Sequence, residues 1–287
     1  MRITVLGSGT SHGVPMIGCR CAVCTSADPR NRRTRTSAAF RLGPRTLLVD
    51  TAPDLRLQAV AAGLERVDAV AFTHSHADHV MGFDELRRFA ELAGRAIPVY
   101  ASPATLSDLY RIFNYALTDA GLRPGVAGLR PGEAGSRLFG IPIVEWHALT
   151  EPVAIGDHRL TPVPLDHAAH LATGIRLDAP DGSSVAWCPD CCGIPAASRD
   201  LLKGLDLLFL DGLRHRPHPT HFTVAEAVET IRRLAPHQAW LIHMTHDLDH
   251  AATEAALPPA PEVPGGIRLA YDGMVVDLEN HRVSTAN

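Results

Sequence analysis

The segment of the sequence best suited to chemistry is residues 73–79, which read THSHADH. An apolar run at residues 69–72 precedes it and predicts a buried strand, so the histidines lie where that strand ends. Side chains alternate along an extended chain, and His74 and His76 should therefore project to the same side. Imidazole nitrogens and a carboxylate oxygen suit Zn²⁺, Mn²⁺ or Fe²⁺. The pattern predicts a metal site rather than a solvated turn rich in histidine.

The residues that follow predict a second metal beside the first. A helical pattern spans residues 80–92, and the glycine at position 94 suits a helix end. Asp78 and His79 therefore lie at the turn from strand to helix and can point away from the first pair of histidines. Two divergent pairs of ligands on one rigid turn predict two adjacent metals.

The motif H-x-H-x-D-H is similar to the signature of the metallo-β-lactamase-fold hydrolases. That resemblance implies further ligands at later strand ends, and three residues that follow apolar runs are candidates: His167, Asp190 and His243. It also implies how the ligands divide. One metal would be held by His74, His76 and His167. The second would be held by Asp78, His79 and His243, and Asp190 would bridge the two.

The same resemblance implies the fold. It is an α/β fold of the αβ/βα four-layer sandwich type, in which two mixed sheets face each other and helices cover the outsides. We expect residues 1–287 to form a single metallo-hydrolase domain, including an N-terminal zinc loop at about residues 12–36. Apolar patterns predict strands at residues 3–6, 38–41 and 46–49, and strands of a second sheet at residues 141–146, 153–155 and 159–163.

A second group of potential ligands lies near the N-terminus. Cys19, Cys21 and Cys24 have the C-x-C-x-x-C spacing of zinc ligands, although three unliganded thiols remain the alternative. A tetrahedral site needs a fourth ligand, and the resemblance supplies His246. A closed site with three cysteines and one histidine would be structural, because no coordination position stays open.

The combination of motifs narrows the resemblance. A metallo-β-lactamase fold with an early cysteine loop looks like the phosphodiesterases of the carbon–phosphorus lyase pathway, which cleave cyclic ribose phosphates. The resemblance covers most of the chain. It implies two divalent metals, manganese or zinc, at the active site, one separate structural zinc, and a small cyclic sugar phosphate or related phosphodiester as substrate.

His221 is the candidate general acid. Thr223 and Glu226 form a capping box at the start of a predicted helix, and helix N-termini favour anions. In the resembling family a histidine at this place contacts phosphate and can protonate the leaving alkoxide. We place Asp78, with His221, among the catalytic residues.

Composition limits the classes of partner. The net charge of −4 and the sequence pI of about 6.5 argue against a general nucleic-acid or membrane-surface binder. No run of about 18 apolar residues predicts a membrane span. The six cysteines fall in two tight clusters, which suits metal binding or free thiols in a reducing cytoplasm. The expected partner is a small phosphodiester, and the sequence leaves a homodimer open.

Other functions of the same fold stay open. A tRNA-processing nuclease would share the metals, as would a thioester or lactone hydrolase, and a non-hydrolytic relative would be expected to lack ligands. The sequence assigns no role to Cys188, Cys191 and Cys192, to the loop at residues 121–140, or to His12. The basic stretch at residues 28–35 either attracts an anionic substrate or is a solvated loop.

Overall fold

Two β-sheets lie face to face in the computed structural model, which describes residues 1–116, 142–167 and 170–286. In the described part of the chain the first sheet has eight strands, in the spatial order β15 (Arg282–Ala286), β14 (Val275–Glu279), β1 (Arg2–Gly7), β2 (Ser37–Leu42), β3 (Arg45–Val49), β4 (Ala69–Ala71), β5 (Ile97–Ala101) and β6 (Val144–Ala148). Its pairings are antiparallel from β15 to β3 and parallel from β3 to β6. The first sheet is therefore mixed, as expected.

The second sheet is mixed as well. Among the described residues it has seven strands, in the order β13 (Ile267–Leu269), β12 (Gln238–Ile242), β11 (Leu207–Asp211), β10 (Ser184–Cys188), β9 (His170–Asp178), β8 (His158–His167) and β7 (Val153–Ile155). The pairings are parallel from β13 to β10 and antiparallel from β10 to β7.

Strand residues alternate between two apolar layers, and this alternation explains why the strands are apolar throughout. Leu207 and Phe209 pack into the core between the two sheets, whereas Leu208 and Leu210 pack against helices on the other side. A strand that is buried on both faces needs a continuous apolar sequence. The predicted four-layer sandwich is confirmed.

Helices cover the outer face of each sheet. The described helices are α1 (Leu55–Ala61), α2 (Ala77–Val80), α3 (Leu86–Ala93), α4 (Pro103–Ile112), α5 (Ala196–Leu201), α6 (Val224–Leu234) and α7 (His250–Ala256). Residues of α1, α3 and α4 pack on the first sheet, and residues of α6 pack on the second. The predicted capping box is confirmed, since the Thr223 hydroxyl accepts from the Glu226 amide and Glu226 accepts from the Thr223 amide. Within the described residues, no helix combines the length and apolar character needed to cross a bilayer.

Three local predictions differ from the structure. The strand predicted at residues 141–146 is β6, and it extends the first sheet rather than the second by pairing in parallel with β5. The helix predicted over residues 80–92 is broken, because Gly82 separates α2 from a 3₁₀ turn at Phe83–Glu85 and from α3. A side chain at Gly82 would approach the Ala52 carbonyl oxygen to 2.1 Å, so the backbone must pass closely there. Strands β13 and β15 were not predicted, and the loop at residues 121–140 lies outside the described residues.

Candidate metal centre

The candidate ligands lie at one edge of the sandwich because six strands end there. Asp50 follows β3 and the segment with His74 follows β4, both in the first sheet. In the second sheet, β8 and β11 end at His167 and Asp211, while Asp190 follows β10 and His243 follows β12. Ligands in open α/β sheets characteristically bind outside the carboxyl ends of strands. The fold therefore collects residues that are up to 193 positions apart, from Asp50 to His243.

One cluster of potential ligands consists of His74, His76, His167 and Asp190, whose ligand atoms all lie within 4.8 Å of one another. His167 Nε2 is 3.3 Å from His76 Nδ1 and 4.0 Å from Asp190 Oδ2. His74 Nε2 is 3.8 Å from the same carboxylate oxygen. The three imidazole nitrogens and one carboxylate oxygen thus face a common point, as the sequence predicted for the first metal.

A second cluster consists of Asp78, His79, His243 and Asp190. His79 Nε2 lies 3.4 Å from Asp78 Oδ2 and 3.2 Å from Asp190 Oδ1. His243 Nε2 lies 3.5 Å from Asp78 Oδ2 and 3.4 Å from Asp190 Oδ2. Asp190 belongs to both clusters, which is the position that the sequence predicted for a bridging carboxylate.

Hydrogen bonds fix the orientation of three of the histidines. His79 Nδ1 lies 2.7 Å from Asp50 Oδ2, and His167 Nδ1 lies 2.9 Å from the Thr220 carbonyl oxygen. The Thr73 hydroxyl donates to Asp50 and so can accept from His74 Nδ1, 3.0 Å away. Each contact places the proton on Nδ1 and leaves Nε2 to face the cluster, an arrangement typical of histidines that ligate metals.

The backbone is strained at two positions in the site. Asp50 has a φ of 61° and His243 a φ of 60°, in the left-handed region that side chains other than glycine rarely adopt. Such conformations cost on the order of 1–3 kcal/mol each and persist where the surrounding structure enforces them, often at functional sites. At His243 this conformation directs the imidazole back toward Asp78 and Asp190.

Electrostatics keep the clusters close to the protonation states that a metal requires. Burial and the neighbouring His79 lower the pKa of His74 well below its usual value, so this imidazole is neutral. Burial opposes the ionisation of Asp190, yet His243 and His79 lower the pKa of Asp190 well below its usual range. For His79 burial also favours the neutral form, but the carboxylates of Asp190, Asp78 and Asp50 raise its pKa well above normal. A divalent cation would supply the positive charge that a proton on His79 otherwise provides.

The donor atoms fit divalent metals. His74 Nε2, His79 Nε2 and Asp190 Oδ1 are buried and have no hydrogen-bond partner among the described residues. Buried polar atoms without a partner are costly, and they are rare unless an ion or water satisfies them. Imidazole and carboxylate donors in these numbers suit zinc or manganese.

A third cluster lies apart from the first two. Cys19, Cys21, Cys24 and His246 place their ligand atoms within 4.8 Å of one another. His246 Nδ1 is 3.3 Å from Cys19 Sγ and 3.4 Å from Cys21 Sγ, and the Cys24 amide donates to Cys21 Sγ. Hydrogen bonds from the Cys24 amide and His246 lower the pKa of Cys21 to about 6, so a thiolate forms readily. Three sulfurs and one imidazole match a tetrahedral structural zinc site.

His221 lies between the two main clusters. Its ring centroid is 4.9 Å from that of His167 and 4.8 Å from that of His243. Its Nδ1 lies 2.6 Å from Asp211 Oδ2, which also accepts from the Cys191 amide. Burial lowers the pKa of His221, and the carboxylates of Asp190 and Asp78 oppose that shift.

Asp50 and Asp211 are the residues that sequence reasoning missed. Both are fully buried, and each holds the Nδ1 of a histidine that faces the clusters. A signal was present, because each aspartate ends an apolar strand, as Asp190 nearly does. A carboxylate at the end of a buried strand could have been singled out on that ground.

The second group of cysteines divides by burial. Cys188 and Cys191 are buried in the core between the second sheet and its helices, which agrees with a packing role. Cys192 is partly exposed, with its Sγ 3.5 Å from the Asp166 carbonyl oxygen.

Comparison with known proteins agrees with this geometry. The beta-lactamase superfamily domain matches residues 45–244 of the chain. A crystal structure described as a new diphosphatase from the PhnP family is 36% identical, covers 97% of this chain and 98% of its own, and has a TM-score of 0.81.

Two curated relatives are also similar. An octanoyltransferase from Porphyromonas gingivalis is 33% identical over 99% of this chain, but the match covers only 53% of that protein, so the chain spans about half its length. The coenzyme PQQ synthesis protein B of Methylorubrum populi is 28% identical over 74% of this chain and 73% of its own length.

The superfamily match spans most of the chain, and the PhnP-family structure is similar over nearly all of it. Both agree with the two mixed sheets and with the histidine and aspartate clusters at their shared edge. The chain belongs to the beta-lactamase superfamily and is a metallo-β-lactamase-fold hydrolase similar to the PhnP family.

Proposed function

We propose that this protein is a binuclear metal-dependent phosphodiesterase that hydrolyses a small cyclic sugar phosphate or a related phosphodiester. The observation that carries the proposal is the pair of ligand clusters that share Asp190, with His221 beside both. A site with two cations and an adjacent imidazole is suited to a reaction in which negative charge develops on a phosphoryl group.

The residues of the two clusters would hold the catalytic metals, with His74, His76 and His167 on one, Asp78, His79 and His243 on the other, and Asp190 on both. Divalent zinc or manganese supplies Lewis acidity and makes water nucleophilic near neutral pH when bound in such a site. Cys19, Cys21, Cys24 and His246 would hold a third, structural zinc.

The chain's own contribution to bond cleavage is a proton at the leaving oxygen. His221 Nδ1 is engaged by Asp211, which leaves Nε2 as the atom that can meet a substrate. Asp211 would stabilise the imidazolium form, and the amide of Cys191 would hold the carboxylate in place. His221 would therefore protonate the leaving alkoxide, as a general acid whose ring orientation is fixed by a buried carboxylate.

A diphosphate ester is the second candidate substrate. The most complete structural match is described as a diphosphatase, and its 36% identity extends over 97% of this chain. A disubstituted diphosphate offers the same singly charged phosphoryl centre as a phosphodiester, with phosphate as the leaving group. A phosphate leaving group needs less protonation than an alkoxide, so the two substrates would depend differently on His221.

The proposal includes the organisation of the chain. The core between the sheets contains residues from Ile3 to Leu278, which supports one metallo-hydrolase domain over residues 1–287. The expected partner is a small phosphodiester rather than a membrane or nucleic acids in general, and the expected location is the cytoplasm.

A substrate panel tests the proposal. Protein purified without chelators would be assayed with bis-(p-nitrophenyl) phosphate, cyclic nucleotides, a disubstituted diphosphate, a lactone and a thioester. We expect metal-dependent turnover of the phosphorus substrates, abolished in His74→Ala and retained in His237→Ala, a histidine at the opposite end of β12. Turnover of only the lactone or thioester would replace the proposal with one of the other hydrolase functions, and cleavage of precursor tRNA alone would indicate a nuclease.

A further inference from the structure

A cleft of about 470 Å³ opens beside Asp78 and outside the two ligand clusters. Its walls include His12, Met16, Ile17, Arg35 and Pro53. The reactions proposed above use none of these five residues. The volume lies within the range of small-molecule sites, which is roughly 300–1,000 Å³.

The cleft has an unusually apolar wall for its exposure. The Ile17 side chain is 98% exposed, and Met16 and Pro53 lie along the same cleft. A single exposed isoleucine needs no explanation, but several apolar side chains along one concave surface mark a binding site.

This wall is held rigidly by neighbouring backbone contacts. The Met16 amide donates to Cys24 Sγ, and the Met16 carbonyl accepts from the Cys19 amide. Val14 and Arg33 exchange two backbone hydrogen bonds of 2.8 Å just before this turn. The cysteine cluster therefore holds Met16 and Ile17 at the edge of the cleft, and a ligand would meet a surface that is already formed.

Two planar, polar groups complete the lining. The Arg35 Nε lies 2.9 Å from Asp54 Oδ2, and this contact fixes the guanidinium group at the cleft. His12 is exposed in the turn after β1. Guanidinium groups stack on aromatic faces, and an apolar wall opposite a planar cation favours a flat, aromatic ligand.

The cleft is continuous with the site through Asp78, which lines it and also belongs to the second ligand cluster. We propose that the cleft binds an aromatic ring of nucleobase type that is carried by the phosphodiester, while the phosphate lies at the clusters. This inference rests on the proposed function and adds to it the substrate class: nucleoside phosphodiesters with an aromatic base.

The test compares two substrates with the same leaving group. Thymidine 5′-(p-nitrophenyl) phosphate carries a base, and methyl p-nitrophenyl phosphate does not. The measured quantity is the ratio of their kcat/KM values for the metal-loaded enzyme. We expect a ratio well above ten for the natural sequence, since covering apolar surface of this size is worth at least that factor.

Two variants should lower the ratio. Ile17→Ala should reduce it about tenfold, and because Ile17 is almost fully exposed the variant should fold and keep its zinc. Arg35→Lys should also reduce it, because lysine keeps the charge but loses the planar group. The matched control is Val60→Ala on α1, an equally conservative change at a 74% exposed residue that does not line this cleft.

The outcomes separate the two proposals. Hydrolysis of neither ester overturns the proposed function and the inference with it. Hydrolysis of both with a ratio near one, or with a ratio that Ile17→Ala and Arg35→Lys leave unchanged, overturns the cleft as a base-binding site and leaves the phosphodiesterase intact.

Discussion

The Asp50 carboxylate lies 2.7 Å from Nδ1 of His79, and both side chains are fully buried. Asp50 also accepts hydrogen bonds from the amide and the hydroxyl of Thr73. Burial raises the pKa of Asp50, whereas His79 and these donors favour its charged form. One carboxylate at the end of β3 thus orients a histidine of the second cluster and, through Thr73, a histidine of the first.

Replacing Asp50 tests whether this contact supports metal binding. Asp50→Asn should weaken metal binding about 10–100-fold, which is typical when the hydrogen-bond partner of a metal-ligating histidine is lost. The dissociation constant can be measured by titrating the chelated protein with zinc or manganese.

The matched control for Asp50 is Asp206→Asn. Asp206 is also a buried aspartate whose carboxylate meets a histidine, since it lies 3.0 Å from His281 Nδ1, but it precedes β11 at the opposite edge of the sheet. Metal affinity should be unchanged in this control. Equal losses in both variants would show that a general loss of stability, and not the contact with His79, is responsible.

The number of metals follows from the three ligand clusters. Protein purified without chelators should contain close to three metal ions per chain, two in the histidine and aspartate clusters and one in the cysteine cluster. Elemental analysis measures the total, and removal with a chelator should abolish activity that zinc or manganese then restores. A total near one with full activity would contradict the binuclear site.

His221 can be tested as a proton donor by its dependence on the leaving group. His221→Ala should lower kcat about 10²–10⁴-fold for a diester with an alkoxide leaving group, the range typical of general acid catalysis. The loss should be much smaller for a p-nitrophenyl diester, whose leaving group departs without a proton. Steady-state rates on the two esters provide the comparison.

Metal content decides between the remaining roles of His221. It should be unchanged in His221→Ala, since this residue belongs to neither proposed ligand set. Equal loss of activity on both esters with metals retained would mean that His221 positions the phosphate. Loss of metal would make it a ligand instead, in keeping with its place beside Asp211 and His243.

The cysteine cluster can be tested separately from activity. Cys21→Ala should release one zinc and lower the melting temperature, because a closed structural site contributes directly to folding. The catalytic metals should mostly remain, although His246 is only three residues from His243. Cys192→Ser is the control, and it should alter neither zinc content nor melting. An unchanged Cys21→Ala protein would exclude the site.

Thiol reactivity should depend on pH and zinc in opposite ways for the two cysteine groups. The pKa of Cys21 is lowered to about 6, so in zinc-free protein its alkylation by iodoacetamide should rise from pH 5 to pH 7 and then level off, because the thiolate forms as pH rises. Bound zinc should block this reaction. Burial raises the pKa of Cys188 to about 12, so at pH 8 on the order of 10⁻⁴ of it is thiolate.

Mass spectrometry of the alkylated peptides distinguishes these cysteines. In zinc-loaded protein at pH 8, Cys192 should be labelled first, because it is partly exposed, and Cys188 should stay unlabelled. Rapid labelling of Cys21 in the presence of zinc would contradict its role as a ligand.

The sequence by itself determined the features that depend on local spacing. Residues 74–79 form a compact motif after a short apolar strand, and the C-x-C-x-x-C loop is equally local, so both could be identified before the chain was folded. Continuous apolar runs indicated strands buried on both faces, because no amphipathic pattern was present to suggest an exposed face. The resemblance of these motifs to a known family then indicated the distant ligands His167, Asp190, His243 and His246.

Only the tertiary structure decided relationships between distant residues. The pairing of Asp50 with His79 and of Asp211 with His221 depends on how β3, β4 and β11 align at one edge, and no local pattern encodes that alignment. The same holds for β6, whose sequence suits either sheet and whose partner is decided by packing beside β5. The cleft beside Asp78 likewise exists only because the cysteine loop folds back on His246, 222 residues after Cys24. Such contacts form when the fold closes, since their stabilisation comes from burial shared between elements and not from the preference of any one segment.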